Sequence, residues 1–135
     1  TPLDFESMNA AGTFLGSGGV IVIDEQTCMV DSLWNLMRFY AHESCGKCTP
    51  CREGTYWMTG ILERLERGQG HASDIDLLAD LADNIMGRSF CPLGDAAAMP
   101  VQGFLKHFRA EFEHHAQQRC CLANRRRDSR TGVPA

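Results

Sequence analysis

The residues best suited to chemistry in this chain are Cys45, Cys48 and Cys51, with two residues between each successive pair, and a distant Cys91 followed by Pro92. Two residues between successive thiols let one tight loop wrap three corners of a four-iron cube, and a remote thiol can close the fourth. Four thiolates leave no iron open to substrate, so the pattern predicts electron relay through a [4Fe-4S] cluster rather than activation of a molecule at the metal. Structural zinc also takes four cysteines, but usually as two separated C-x-x-C pairs, and it stands as the alternative. The odd total of seven cysteines, with no secretory signal pattern ahead of them, points to reduced thiols rather than disulfides.

A cube held by four thiolates is net negative, so its site needs hydrogen-bond donors and positive potential. Gly46 has no Cβ to keep backbone N–H groups away from sulfur, and a helix beginning near Cys51 would turn its positive end toward the site, worth about 0.3–1 kcal/mol. Lys47, Arg52 and Arg88 are read either as charge compensation or as surface residues. Glu43 beside Ser44 and Cys45 could be read as a base next to a nucleophile, yet a catalytic cysteine does not need two further thiols at fixed spacing. The glycines at 16, 18 and 19 open a strand rather than a helix, which removes the mechanism that seats phosphate on a helix N-terminus. Cys28 is read as a small buried hydrophobe, Cys120 and Cys121 as too cramped to chelate one metal, and His107, His114 and His115 as surface or helix-end residues.

The elements that must position these thiols follow from periodicity. Ser17 to Asp24 reads as a turn leading into a short β-branched strand. From Asp31 or Ser32 as cap, Leu33, Trp34, Leu36, Met37 and Tyr40 line one side of a helix that runs to about His42. Thr49 can cap a second helix, with Pro50 in its first turn and Met58, Ile61, Leu62 and Leu65 as its apolar stripe, stopped by Gly68 and Gly70. A capping box from Ser73 to Asp76 opens a third, carrying Ile75, Leu78, Leu81, Ala82 and Ile85 and ended by Gly87. After the Cys91 loop and an Ala-rich turn interrupted by Pro100, Phe104, Leu105, Phe108 and Phe112 form the stripe of a last helix to about His115. Trp34, Phe104 and Phe108 are read as core. The fold class is therefore mainly α: a four-helix bundle carrying an iron–sulfur cluster, preceded by a short β remnant. Its divisions are residues 1–28, 29–116 and a basic, disordered tail at 117–135.

With 135 residues the chain is the size of one ordinary domain. Its longest aliphatic run, Val20 to Ile23, is far short of a membrane span, so no direct membrane insertion is expected. The formal net charge is −4, while Arg119, Arg125, Arg126, Arg127 and Arg130 crowd the end of the chain against Asp128. The remainder is therefore more acidic than the whole, and an acidic body disfavours nucleic acid as a partner.

The run Glu43-Ser44-Cys45-Gly46-Lys47-Cys48-Thr49-Pro50-Cys51-Arg52-Glu53-Gly54 resembles the signature of the flavoprotein subunit of respiratory NADH:quinone oxidoreductase, the 51-kDa or F subunit of complex I. Ser89 to Asp95 resembles that family's fourth-ligand segment, and Leu15 to Val22 resembles the end of the β-grasp domain before its cluster bundle. The resemblance covers roughly Thr1 to Ala116; the Arg-rich stretch beyond it departs from the family pattern. It implies that Cys45, Cys48, Cys51 and Cys91 ligate the cube, and that FMN and NADH bind an N-terminal α/β domain with no counterpart here, which makes the chain a C-terminal fragment. It further implies electron transfer from FMN to the cluster and onward to a two-iron thioredoxin-like subunit and a large iron–sulfur subunit. The implied location is the cytoplasmic side of a bacterial inner membrane, held peripherally, or the matrix side in mitochondria. Flavoprotein subunits of NAD-dependent formate dehydrogenases and hydrogenases share the signature.

Overall fold

The computed structural model describes residues 1–121. They form five helices: α1 (Phe5–Ala10), α2 (Met29–Glu43), α3 (Thr49–Glu66), α4 (Ala72–Ile85) and α5 (Leu93–Gln118). The bundle consists of α2 to α5, in which α2 packs on α3, α4 packs on α5, and α3 touches the other three. Its core is built from the apolar stripes: Val30, Leu33 and Met37 of α2 meet Met58, Leu62 and Leu65 of α3, with Ile75, Leu78 and Ala82 of α4 and Ala97, Val101 and Phe112 of α5. Burying a Leu, Met or Phe side chain contributes about 1.5–3 kcal/mol, so these stripes rather than helix propensity hold the bundle together.

Helix starts differ from the expected ones by a few residues, each time with a less usual residue at the cap position. Helix α2 begins at Met29, since Cys28 Sγ accepts from the backbone N–H of Asp31. Helix α3 has Cys48 as its cap, which puts Thr49 and Pro50 inside the first turn, where a missing N–H costs nothing. In α4 the capping box is formed by His71 and Asp74 rather than Ser73 and Asp76; the Asp74 carboxylate accepts from the His71 N–H at 2.9 Å and from Arg64 of α3 at 2.8 Å. Gly68 and Gly87 take the left-handed turns that end α3 and α4, at φ +68° and +67°.

Three expectations are corrected. The β remnant is not present: Ser17 to Asp24 contains no strand, and Val20, Ile21 and Val22 are exposed. β-branched residues favour an extended backbone, but a strand exists only with a partner to complete its ladder. The Ala-rich segment is not a turn but the first part of α5, which continues through Pro100. A proline inside a helix costs about 3 kcal/mol, and burial of Ala97, Ala98, Val101 and Leu105 around it offsets that. Phe108 is not core. Its backbone is non-helical, at φ −126° and ψ 17°, and this kink turns its ring out to rest against Phe104 and His107. The short α1, capped by Asp4, buries no residue. The tail expected to be disordered lies outside the described residues from 122 onward.

Candidate iron–sulfur centre

The turn between α2 and α3 carries Cys45 and Cys48, and the first turn of α3 carries Cys51. Gly46 sits at φ +77°, a left-handed conformation that a side chain would strain, and this folds the loop back on itself. Arg52 then ties the turn shut by donating from Nη1 to the Gly46 carbonyl at 2.8 Å. Exposure falls along the loop: Cys45 is exposed, Cys48 half-buried and Cys51 buried. Ser44 Oγ lies 3.3 Å from Cys51 Sγ, in place to donate to a thiolate, and Thr55 Oγ1 donates to the Cys51 carbonyl at 2.7 Å.

Cys91 arrives from the other half of the bundle, on the loop that joins α4 to α5. Two contacts fix that loop: the Gly87 N–H donates to Asp95 Oδ1 at 2.7 Å, and Ser89 packs beneath Gly94, where any Cβ would strike its side chain. The backbone N–H of Phe90 then donates to Cys48 Sγ at 3.3 Å, and Lys47 Nζ stands 4.5 Å from the centre of the Phe90 ring. The fold thus sets the segment carrying Cys91, itself exposed, against the loop carrying the other three thiols. Arg88 is drawn away to Asn84 of α4 at 2.7 Å, so of the three cations singled out in the sequence only Lys47 and Arg52 border this loop.

The donor set suits thiolate-bound iron and sulfide. Cys48 caps α3 and Cys91 immediately precedes the N-cap of α5, Pro92, so both residues lie at the positive ends of helices, a setting that suits a net-negative cluster. The amide of Phe90 and the hydroxyl of Ser44 are donors of the kind that tune such centres through sulfur.

A second group of side chains of metal-ligating type comes together from residues that the sequence presents singly as a small hydrophobe, a cramped pair and a helix-end histidine. At the other end of the α2–α3 pair, the ligating atoms of Cys28, His115 and Cys121 all lie within 4.8 Å of one another. Cys28 Sγ is 3.4 Å from His115 Nε2 and 3.6 Å from Glu66 Oε2. Burial pushes the Cys28 thiol up, raises the Glu66 carboxyl and lowers the His115 imidazole. Only the return of α5 to the start of α2 unites them, and neither spacing nor motif signals that.

Comparison with known proteins gives the family. Residues 31–115 match the family model described as NADH-ubiquinone oxidoreductase-F iron-sulfur binding region. The chain is 54% identical over 120 residues to the F subunit of the NADH-quinone oxidoreductase of Streptomyces coelicolor and 52% identical to that of Mycobacterium tuberculosis, covering 89% of this chain and 27% of each relative. An F subunit of the Rhizobium meliloti NADH-quinone oxidoreductase is 52% identical over 88% of the chain and 28% of its own length. The chain thus spans little more than a quarter of these relatives. Among solved structures, an air-oxidised NAD+-reducing [NiFe]-hydrogenase is similar with a TM-score of 0.68 and 35% identity, over 71% of this chain and 17% of that one. The described helices include none long and apolar enough to cross a membrane. By the match over most of its bundle and by its relatives, the chain belongs to the iron–sulfur-binding region family of the F subunit of NADH-quinone oxidoreductase, and it binds an iron–sulfur cluster.

Proposed function

We propose that Cys45, Cys48, Cys51 and Cys91 hold a [4Fe-4S] cluster, and that the chain relays single electrons as the C-terminal part of an NADH-oxidising flavoprotein subunit. The observation that carries this reading is the Phe90 N–H donated to Cys48 Sγ, because it brings the Cys91 loop beside the three-cysteine turn. Such a cluster takes up and releases one electron with little rearrangement and, with four thiolate ligands, offers no site to substrate. The chain's own contribution is to fix the four sulfurs on two loops, to direct the N-termini of α3 and α5 at them, and to donate from Phe90 and Ser44. Each donor favours the more negative, reduced state and so raises the potential. In this reading FMN reduced by NADH in a preceding domain is the electron donor. A two-iron thioredoxin-like subunit and a large iron–sulfur subunit are the acceptors, on the cytoplasmic or matrix face of the membrane. The division into residues 1–28, 29–116 and 117–135 belongs to the same proposal.

Anaerobic reconstitution should give a brown protein with about four irons per chain and a reducible paramagnetic signal. Cys91→Ser should lose or convert the cluster. A colourless protein that takes only zinc at these cysteines would overturn the assignment. The likeness to the NAD+-reducing hydrogenase supports a second reading, the equivalent module of a hydrogenase flavoprotein subunit, at lower identity than the quinone-reductase relatives. Affinity capture from cells separates the two by whether quinone-reductase or hydrogenase subunits accompany the chain.

A further inference from the structure

The group at the far end of the bundle has the composition of a metal site of its own. Cys28 comes from the cap of α2, Glu66 from the last turn of α3, His115 from the last turns of α5 and Cys121 from just beyond that helix. His115 is 1% exposed and Cys121 7%. The His115 ring offers Nε2 to Cys28 Sγ at 3.4 Å, while its Nδ1 is buried and makes no hydrogen bond, with Glu66 Oε2 standing 3.5 Å away. Buried polar atoms are ordinarily satisfied, and this nitrogen has only the Leu65 backbone and the Glu66 carboxyl near it, neither at good hydrogen-bond geometry.

A metal on Nε2 would fix the ring tautomer that turns an N–H at Nδ1 toward Glu66. Two sulfurs and one imidazole nitrogen are the donors that Zn2+ takes, and Zn–S and Zn–N bonds of about 2.3 and 2.0 Å put tetrahedral ligand atoms about 3.5–3.8 Å apart; here Cys28 Sγ and His115 Nε2 are 3.4 Å apart and all three atoms lie within 4.8 Å of one another. A histidine that binds metal through one nitrogen usually gives its other N–H to a carboxylate, and Glu66 is in position to accept it after a small shift. We propose that Cys28 Sγ, His115 Nε2 and Cys121 Sγ bind a Zn2+ ion, with Glu66 orienting His115 and water completing the coordination. The ion replaces the thiol protons of Cys28 and Cys121, which pass to solvent. It pins the end of α5 to the start of α2 and shares no residue with the four-cysteine centre, so the two sites fill independently.

The test uses the full chain with its iron–sulfur centre reconstituted, then equilibrated with Zn2+ against a competing chelator and analysed for both metals. The expected result is about one tightly held zinc beside unchanged iron, with an absorption-edge spectrum fitting two sulfurs and lighter ligands. Cys28→Ser and Cys121→Ser should each weaken zinc by at least about 100-fold without lowering iron. Glu66→Gln, which keeps all three ligands, should weaken it by about 10–100-fold. Cys121 follows the last helix, so its serine variant tests the idea even where Cys28→Ser fails to fold. Zinc affinity unchanged in Cys121→Ser, or a zinc shell of four sulfurs, would overturn the proposal. So would a Cys28–Cys121 disulfide that, once reduced, yields protein unable to take zinc.

Discussion

The two ends of the α2–α3 pair present the same chemical group in opposite settings. At the loop end, the thiols of Cys45, Cys48 and Cys51 follow one another within seven residues, and Cys45 and Cys91 are open to solvent. At the far end, Cys28, His115 and Cys121 come from sequence positions far apart and close into a mostly buried group. The fifteen residues of α2 rise about 22 Å, so neither end can act on the other through direct contact. The difference separates two ways of making a ligand set. A loop can encode one by spacing, whereas a bundle makes one by bringing helix ends together.

The sharpest way to break that comparison is to remove a sulfur from each end. Cys48→Ser should lose most of its iron on anaerobic reconstitution while Cys28→Ser keeps it; equal iron contents would erase the distinction. Next in size are packing changes. Phe112→Ala, at a fully buried position on α5, should cost about 3–5 kcal/mol in urea unfolding and leave iron per folded chain unaltered. Gly54→Ala, close to the loop end, should cost about 1–3 kcal/mol, because its Cβ would lie 2.5 Å from Ile85 Cδ1 between two packed helices. Unlike Phe112→Ala, it should also impair iron uptake.

Smaller effects sharpen the electrostatics. Ser44→Ala removes a donor to Cys51 Sγ and should lower the reduction potential by roughly 20–60 mV, the equivalent of one ordinary hydrogen bond of about 0.5–1.5 kcal/mol in a one-electron couple. An unchanged potential in a redox titration would mean that the hydroxyl does not face the reduced centre. Asp74 gives the smallest signal. Burial would push its carboxyl up, but the His71 N–H and the Arg64 guanidinium outweigh that and hold it below the ordinary range. A lowered folded pKa contributes stability above the unfolded value and loses it as pH falls through the folded one. The wild type should therefore lose a small increment of stability in acid that Asp74→Asn lacks, seen as a flatter dependence of the urea midpoint on pH.

The helices and the three-cysteine turn are readable in the sequence because both are local. The stripe Met58, Ile61, Leu62 and Leu65 is buried as its 3.6-residue period requires, and Gly68 ends α3 where a left-handed residue is needed. What escapes the sequence is set by tertiary contact. Cys28 and His71 cap helices although better capping residues stand nearby, since packing fixes where each helix begins. Pro100 reads as a break, yet the apolar surface buried around it carries α5 through. Phe108 fits its stripe until the local kink turns it outward. The same cause hides the far-end group, whose members read singly as a small hydrophobe, a cramped pair and a helix-end histidine. Only their convergence gives them a common role.

The bare stretch from Val20 to Ile23 has a practical corollary. Val22 is 92% exposed, and the stretch pairs with no other described segment, so its β-branched side chains and amide edge are free to anneal with a like stretch on a neighbouring molecule. Concentrated preparations should cloud through this stretch while the bundle stays folded, and a lysine in place of Val22 should keep them clear.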